Sequence, residues 1–172
     1  VGVTKLVTFR DIKTHWARQP IEYLATLGYV QAYPKTNIFA PDNNISRAEL
    51  AALLVRSKEF PLSHAGMENS TFRDVRGNSW AINYIETAAK YGIVEGYPGN
   101  IFRPQSMVTR AEATAMFTRY AAIPVMKVER VADIDVGIDH WASSYIAAFK
   151  SAGLMPTEWR NSNRFFPSKP IT

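Results

Sequence analysis

The chain has 172 residues, no cysteine and a formal net charge of +5, with twenty Lys and Arg against fifteen Asp and Glu. Without cysteine there is neither a disulfide framework nor a thiolate metal site, and no apolar run approaches the ~20 residues of a membrane helix. The composition, 47% hydrophobic and 20% charged, suits a domain with a substantial core; the dispersed positive surplus favours anionic partners, whether nucleic acid, a membrane surface or an acidic polysaccharide. A start at Val1, without methionine or signal peptide, reads as a mature or excised piece.

In chain order, the first element is the stretch FRDIKTHWA, with Asp11 and Trp16, leading into a helix. Pro20 falls near its start, where a missing N–H is tolerated. Gly28, twelve residues after Trp16, stands where a left-handed C-cap is wanted. A loop and Phe39-x-Pro41 follow, then Ser46-Arg47-Ala48-Glu49. Ser-x-x-Glu is a capping box: the hydroxyl accepts from the backbone N–H three residues on, and the glutamate reaches back to the cap N–H. Leu50, Leu53 and Leu54 give this second helix an apolar stripe. Ser57–Thr71 reads as a connector.

The same order then recurs. FRDVRGNSWA carries Asp74 and Trp80, and Tyr84, Ile85, Ala88 and Tyr91 follow at helical spacing before Gly92. EGYPGNIFRP supplies Gly96, Tyr97, Gly99, Phe102 and Pro104, its glycines and prolines marking a loop. Thr109-Arg110-Ala111-Glu112 is a second capping box, followed by the stripe Ala113, Met116 and Phe117 and a connector over Ala121–Val131. A third round opens on VADIDVGIDHWA, where Asp133 is taken as the counterpart of Asp11 and Asp74. It continues through Trp141, Tyr145, Ile146, Phe149, Ala152 and Gly153 to Phe165-x-Pro167. Phe39, Phe102 and Phe165 are 63 residues apart both times, and Ile45, Val108 and Ile171 keep that offset, as do Ser46, Thr109 and Thr172. The chain is therefore three copies of one helix–loop–helix unit: 1–60, 61–124 and 125–172, together one domain, the third incomplete. No large-sheet alternation is visible, so the predicted class is mostly α.

The capping box explains the hydroxyl and the glutamate, which also sits well against the positive end of the helix dipole. It does not explain Arg47 or Arg110, since a cation there is mildly unfavourable. Each arginine can be a structural ion pair or a binding group: its planar fork grips a carboxylate bidentately, beside a helix N-terminus that adds N–H donors. Trp16, Trp80 and Trp141 open helices, which favours packing; turned outward, Trp16, Trp80 or Tyr97 would offer a face to a sugar ring. Gly96 and Gly99 would let a ligand approach the backbone. Asp11, Asp74 and Asp133 read as loop or cap residues. His15 and His140 hold equivalent places, but Ser79 stands there in the second copy, which argues against a shared metal site. No Ser–His–acid arrangement, G-x-S-x-G or P-loop is visible. Neither catalysis, a metal nor a cofactor is expected.

The ordered set F-x-D-[VI], W-A, glycine, G-Y-P, F-x-P and [ST]-R-A-E resembles the S-layer homology repeat over almost the whole chain. The resemblance implies three repeats about a pseudo-threefold axis, with one helix of each in a central bundle. It further implies a non-catalytic, extracellular cell-wall or S-layer module that tethers a surface protein by binding an anionic, pyruvylated secondary cell-wall polysaccharide. Arg110 and Arg47 would meet the acidic sugar in grooves between repeats, with Thr109, Ser46, Trp80, Trp16, Gly96 and Tyr97 around them and Glu112 and Glu49 as structural caps. Two other roles stay open: assembly with surface-layer subunits or an envelope complex, and tethering an outer-membrane protein to peptidoglycan. Neither nucleic acid nor a membrane span is expected. The first copy departs from the pattern at Ala32 and Lys35, the third at Met155 and Pro156. The third copy also reaches only Thr172 of its capping box, so a central bundle needs a third helix or another partner from elsewhere. The intact second copy makes Arg110 the better candidate of the two.

Overall fold

The computed structural model describes residues 6–64, 70–75, 79–129, 133, 135–160 and 163–172. Among these residues six helices run in the order α1 (Arg18–Thr26), α2 (Arg47–Ser57), α3 (Ile82–Lys90), α4 (Arg110–Tyr120), α5 (Ser143–Ser151) and α6 (Thr157–Arg160). Among the described residues the only β-type pairings are isolated bridges, so the fold is mostly α, as the periodicity predicts. The connectors expected over Ser57–Thr71 and Ala121–Val131 lie partly outside the described residues.

Two kinds of helix start alternate. α2 and α4 open on complete capping boxes. Ser46 Oγ accepts from the Glu49 N–H at 3.2 Å while Glu49 accepts from the Ser46 N–H at 2.8 Å; Thr109 and Glu112 repeat this at 3.3 and 2.9 Å. α1, α3 and α5 start on a turn instead. His15 Nδ1, Ser79 Oγ and His140 Nδ1 each accept from the N–H of the alanine two residues on, at 3.1, 3.4 and 3.1 Å. Histidine and serine interchange there because both offer an acceptor on a short side chain. These three helices stop at Gly28, Gly92 and Gly153, whose φ values of 80°, 67° and 74° are left-handed.

The F-x-P turns are tied to the aspartates. Asp74 accepts from the N–H groups of Phe102 and Arg103 at 2.8 and 2.7 Å, and Asp11 accepts likewise from Phe39 and Ala40. The twin bond holds Ala40, Arg103 and Phe166 at φ between 54° and 60°, a conformation costing roughly 1–2 kcal/mol for a residue with a Cβ. In the third unit Asp135 does this, bonding Phe165 and Phe166 at 2.8 and 2.7 Å. The expected register through Asp133 is thus corrected by two residues; its neighbours Val131, Ala132 and Ile134 lie outside the described residues. Asp-Ile-Asp-Val offers two carboxylates, and only the second reaches the turn. Asp133 stands instead where the other units place Phe9 and Phe72, buried and paired with Lys150. Burial opposes ionisation of Asp11 and Asp135, but the backbone donors outweigh it and hold both carboxyls below the ordinary range.

The three units meet in a closed ring of backbone hydrogen bonds. The Ile45 N–H donates to the Ile171 carbonyl (3.1 Å), Ile171 to Val108 (2.9 Å) and Val108 to Ile45 (3.0 Å). The units are therefore related by rotation about a shared axis and not stacked in a line. From the ring, each helix start runs into the next unit's F-x-P loop: Arg47 and Ala48 donate to Ser106 and Pro104, and Arg110 and Ala111 to Lys169 and Pro167. The main core joins α2, α3 and α4 through Leu50, Leu54, Val55, Ile85, Phe102, Val108 and Met116. Smaller clusters form around Ile146, Phe149 and Phe165 and around Phe9, Ile12 and Ile21. Replacing Asp74 by alanine strands two N–H groups at a strained turn. Asp74→Ala is expected to cost about 3 kcal/mol by urea denaturation, since hydrogen bonds to a charged group contribute ~1.5–3 kcal/mol each.

Candidate functional site

Arg47 is the first residue of α2 and only 4% exposed. Its guanidinium is spent on the second unit: Nε donates to the Phe102 carbonyl at 2.8 Å, Nη2 to the Glu95 carbonyl at 3.0 Å and Nη1 to Glu112 Oε1 at 3.3 Å. The group also lies 4.8 and 4.6 Å from the ring centres of Tyr97 and Phe102. Glu112 holds the Thr109 N–H through Oε2 and takes both Arg47 and the Tyr97 hydroxyl on Oε1. Burial, then the bond to Glu112, pushes the Tyr97 hydroxyl pKa up. The copied Arg-Ala-Glu motif thus has an internal explanation, because the arginine of one copy meets the glutamate of the next.

Arg110 enters the third unit in the same way, and its surroundings are poorer. Nη1 donates to the Phe165 carbonyl at 3.1 Å, and the guanidinium lies 4.8 Å from the Trp159 ring and 6.0 Å from Phe166. Among the described residues no carboxylate comes within ion-pair distance. It stays half-buried, and that burial lowers its pKa while nearby Asp135 works the other way.

The other sequence candidates fall into two groups. Ser46, Thr109, Glu49 and Glu112 are occupied as caps. Tyr97 is held by two guanidiniums, Arg47 at 4.8 Å and Arg103 at 4.5 Å from its ring centre. At Gly96 a Cβ would lie 2.4 Å from the Phe72 ring, so this glycine makes room for the core. The tryptophans turn outward, against the expectation that they pack: Trp16, Trp80 and Trp141 are 76%, 55% and 56% exposed. In the second and third units the alanine that follows, Ala81 or Ala142, takes the inward position.

Beside these indoles lie residues the sequence reading missed. Arg56, near the end of α2, donates from Nε to the Tyr84 hydroxyl at 3.2 Å and sits 4.8 Å from that ring. Arg119, near the end of α4, repeats this on Tyr145 at 2.8 and 4.7 Å, and also reaches Glu95 at 2.7 Å. Trp80 leans on Tyr84 (6.2 Å) and Trp141 on Tyr145 (6.4 Å). Each ledge therefore joins an arginine of one unit to a tyrosine and an exposed tryptophan of the next. The signal was there: Arg56 and Arg119 share the 63-residue offset, and both tyrosines come four residues after a tryptophan. The first unit has Pro20 in that place. Such a ledge can stack a sugar face and hydrogen-bond a carboxylate. No cluster of three metal-ligating residues occurs among the described residues, and no helix there is long and apolar enough to cross a membrane.

The family model of the S-layer homology domain matches residues 8–51 and 71–114. A cellulosome-anchoring protein of Acetivibrio thermocellus is 32% identical over 149 residues, 85% of this chain and 33% of that protein. An exoglucanase of the same organism is 33% identical over 168 residues, 95% of this chain and 15% of its own. A surface layer protein of Brevibacillus choshinensis is 36% identical over 100 residues, 58% of this chain and 9% of its own. The chain spans a third or less of each relative.

Arg47→Ala removes a buried charge and leaves the Glu112 carboxylate and two carbonyls short of a donor. Breaking a buried pair costs about 3–5 kcal/mol, and Arg47→Ala is expected to lower stability by that much in a denaturant titration. Arg110→Ala, at the more open site, is expected to cost less than half of it.

Proposed function

Because the chain belongs to the S-layer homology domain family, we propose that it is a non-catalytic module that anchors a surface protein at the cell wall by holding an anionic secondary polysaccharide. The observation that carries this is the twice-built ledge of arginine, tyrosine and exposed tryptophan at the seams between units. An indole face packs on the C–H face of a sugar, while the guanidinium beside it offers paired donors to a carboxylate such as a pyruvyl ketal. The net charge of +5 draws an anionic polymer toward the surface.

The relatives support a portable tether. One is named for anchoring a cellulosome and another as a surface layer protein, and in the exoglucanase the matching part is 15% of the length. An attachment module serving different cargoes needs no catalytic group of its own. The work is divided as follows. Arg47 locks the first two units together, and Arg56 with Trp80 and Arg119 with Trp141 meet the polymer. Arg110, less completely paired than Arg47, is a third contact beside Trp159. The module acts outside the cell, in the wall or surface layer.

The test is retention on purified wall sacculi, paired with calorimetry on a released polymer fragment. Trp80→Ala, Arg56→Ala, Trp141→Ala and Arg119→Ala are each expected to weaken binding about ten- to a hundredfold; the two tryptophan variants should melt nearly as the parent does, whereas Arg56→Ala and Arg119→Ala also lose a bond to the next unit's tyrosine and should melt somewhat earlier. Arg110→Ala is expected to weaken it too, and Arg110→Lys to restore only part, because an ammonium lacks the planar fork. Chemical stripping of the secondary polymer should abolish retention. Full retention by the Trp80/Trp141 double variant, or on stripped walls, would refute the reading and favour packing against other surface-layer subunits.

A further inference from the structure

The two ledges repeat the same side chains, yet their arginines are differently committed. Arg119 Nη2 donates to the Tyr145 hydroxyl at 2.8 Å and to Glu95 Oε2 at 2.7 Å, which occupies both of its hydrogens. Arg56 meets Tyr84 through Nε instead, at 3.2 Å, and among the described residues no carboxylate lies within ion-pair distance of it. A guanidinium grips a carboxylate in plane with Nη1 and Nη2, or with Nε and Nη2. Nη2 belongs to both pairs. Arg56 therefore keeps the Nη1–Nη2 pair for an incoming acid, whereas Arg119 has neither pair until Glu95 leaves.

Glu95 has a fixed mount. It comes three residues after the cap Gly92, and its carbonyl accepts from Arg47 Nη2 at 3.0 Å. Its side chain is 69% exposed, against 15% for that of Arg119, and an ion pair so open to water adds little to stability. Its larger effect is on what can bind, because one negative charge beside Arg119 repels a second. The matching place in the first unit, three residues after Gly28, holds Gln31. Gln31, Arg56 and Trp80 line one open cavity of about 480 Å3, so at this ledge an amide stands in place of the carboxylate. Glu49 lines the cavity too, but it precedes Arg56 on α2 by two helical turns, roughly 10 Å along the axis. Its Oε2 is already bonded to the Ser46 N–H.

We propose that Glu95 makes the two ledges unequal: the ledge of Arg56 and Trp80 takes a carboxylate-bearing sugar, and the ledge of Arg119 and Trp141 takes an uncharged sugar of the same polymer. At the second ledge Arg119 and Glu95 set donors beside an acceptor, a combination that neighbouring sugar hydroxyls satisfy, while the Trp141 face stacks on the ring. The inference rests on the polysaccharide reading and adds to it which ledge reads charge.

The indole N–H signals of Trp80 and Trp141 in the intact chain report the two ledges separately in a two-dimensional NMR titration. The probes are a short polymer fragment released from purified walls and the same fragment with its carboxyls reduced to alcohols. Reduction is expected to weaken binding at Trp80 about tenfold or more and to change it at Trp141 less than about twofold. Glu95→Gln should make Trp141 prefer the acidic fragment over the reduced one about tenfold, and Gln31→Glu should remove about tenfold from the preference at Trp80. Such an exchange of preference follows charge, and a merely structural role of Glu95 would not produce it. Equal sensitivity to reduction at the two indoles, or a Glu95→Gln chain whose Trp141 still ignores the carboxylate, overturns the proposal and leaves the polysaccharide reading standing. Silence of both indoles with both fragments overturns that reading and this inference with it.

Discussion

The three hydrogen bonds linking Ile45, Val108 and Ile171 are the constraint on which the rest of the structure depends. Each N–H in that ring finds its acceptor in a different unit. Each unit donates one of these bonds and accepts another, so pulling one unit away breaks two of the three, each contributing about 0.5–1.5 kcal/mol. The ring also sets direction, since the residues that leave it, Arg47 and Arg110, are aimed into the neighbouring unit's loop. A capping-box helix is therefore made locally and completed by a neighbour.

Arg47 sharpens this arrangement more than it strengthens it. A buried pair gains little over a well-packed apolar replacement, yet breaking one is costly. The value of the contact lies in register. A guanidinium that must reach two carbonyls, one carboxylate and two ring faces fits at one rotation of the units and no other. The same design places the outward ledges. Arg56 and Tyr84 belong to different units, as do Arg119 and Tyr145, so a ligand surface exists there only after the units have docked. The module's binding and its assembly are thereby coupled.

What was legible in the sequence was what one unit decides for itself. The capping boxes at Ser46 and Thr109, the glycine caps and the 63-residue period depend on local chemistry, and all are present. What was hidden depends on contacts between units. Arg47 reads as an unexplained cation at a helix start because its carboxylate lies 65 residues away. Arg56 and Arg119 look like ordinary last-turn cations until the next unit's tyrosine is placed beneath them. The outward turn of the tryptophans is a contest with the adjacent alanine for one inward position, which helical spacing alone does not decide. Asp133 and Asp135 are a similar case: either satisfies the motif, and only the distance to Phe165 separates them.

The central claim, that the units are parts of one cooperative structure closed by the backbone ring, is tested most directly by native-state hydrogen exchange at the amides of Ile45, Val108 and Ile171. If the ring couples the units, all three amides exchange together, at the free energy of global unfolding and with the same denaturant dependence. If Ile171 exchanges through a low-energy local opening while Ile45 and Val108 stay protected, the third unit is an appendage and the claim fails.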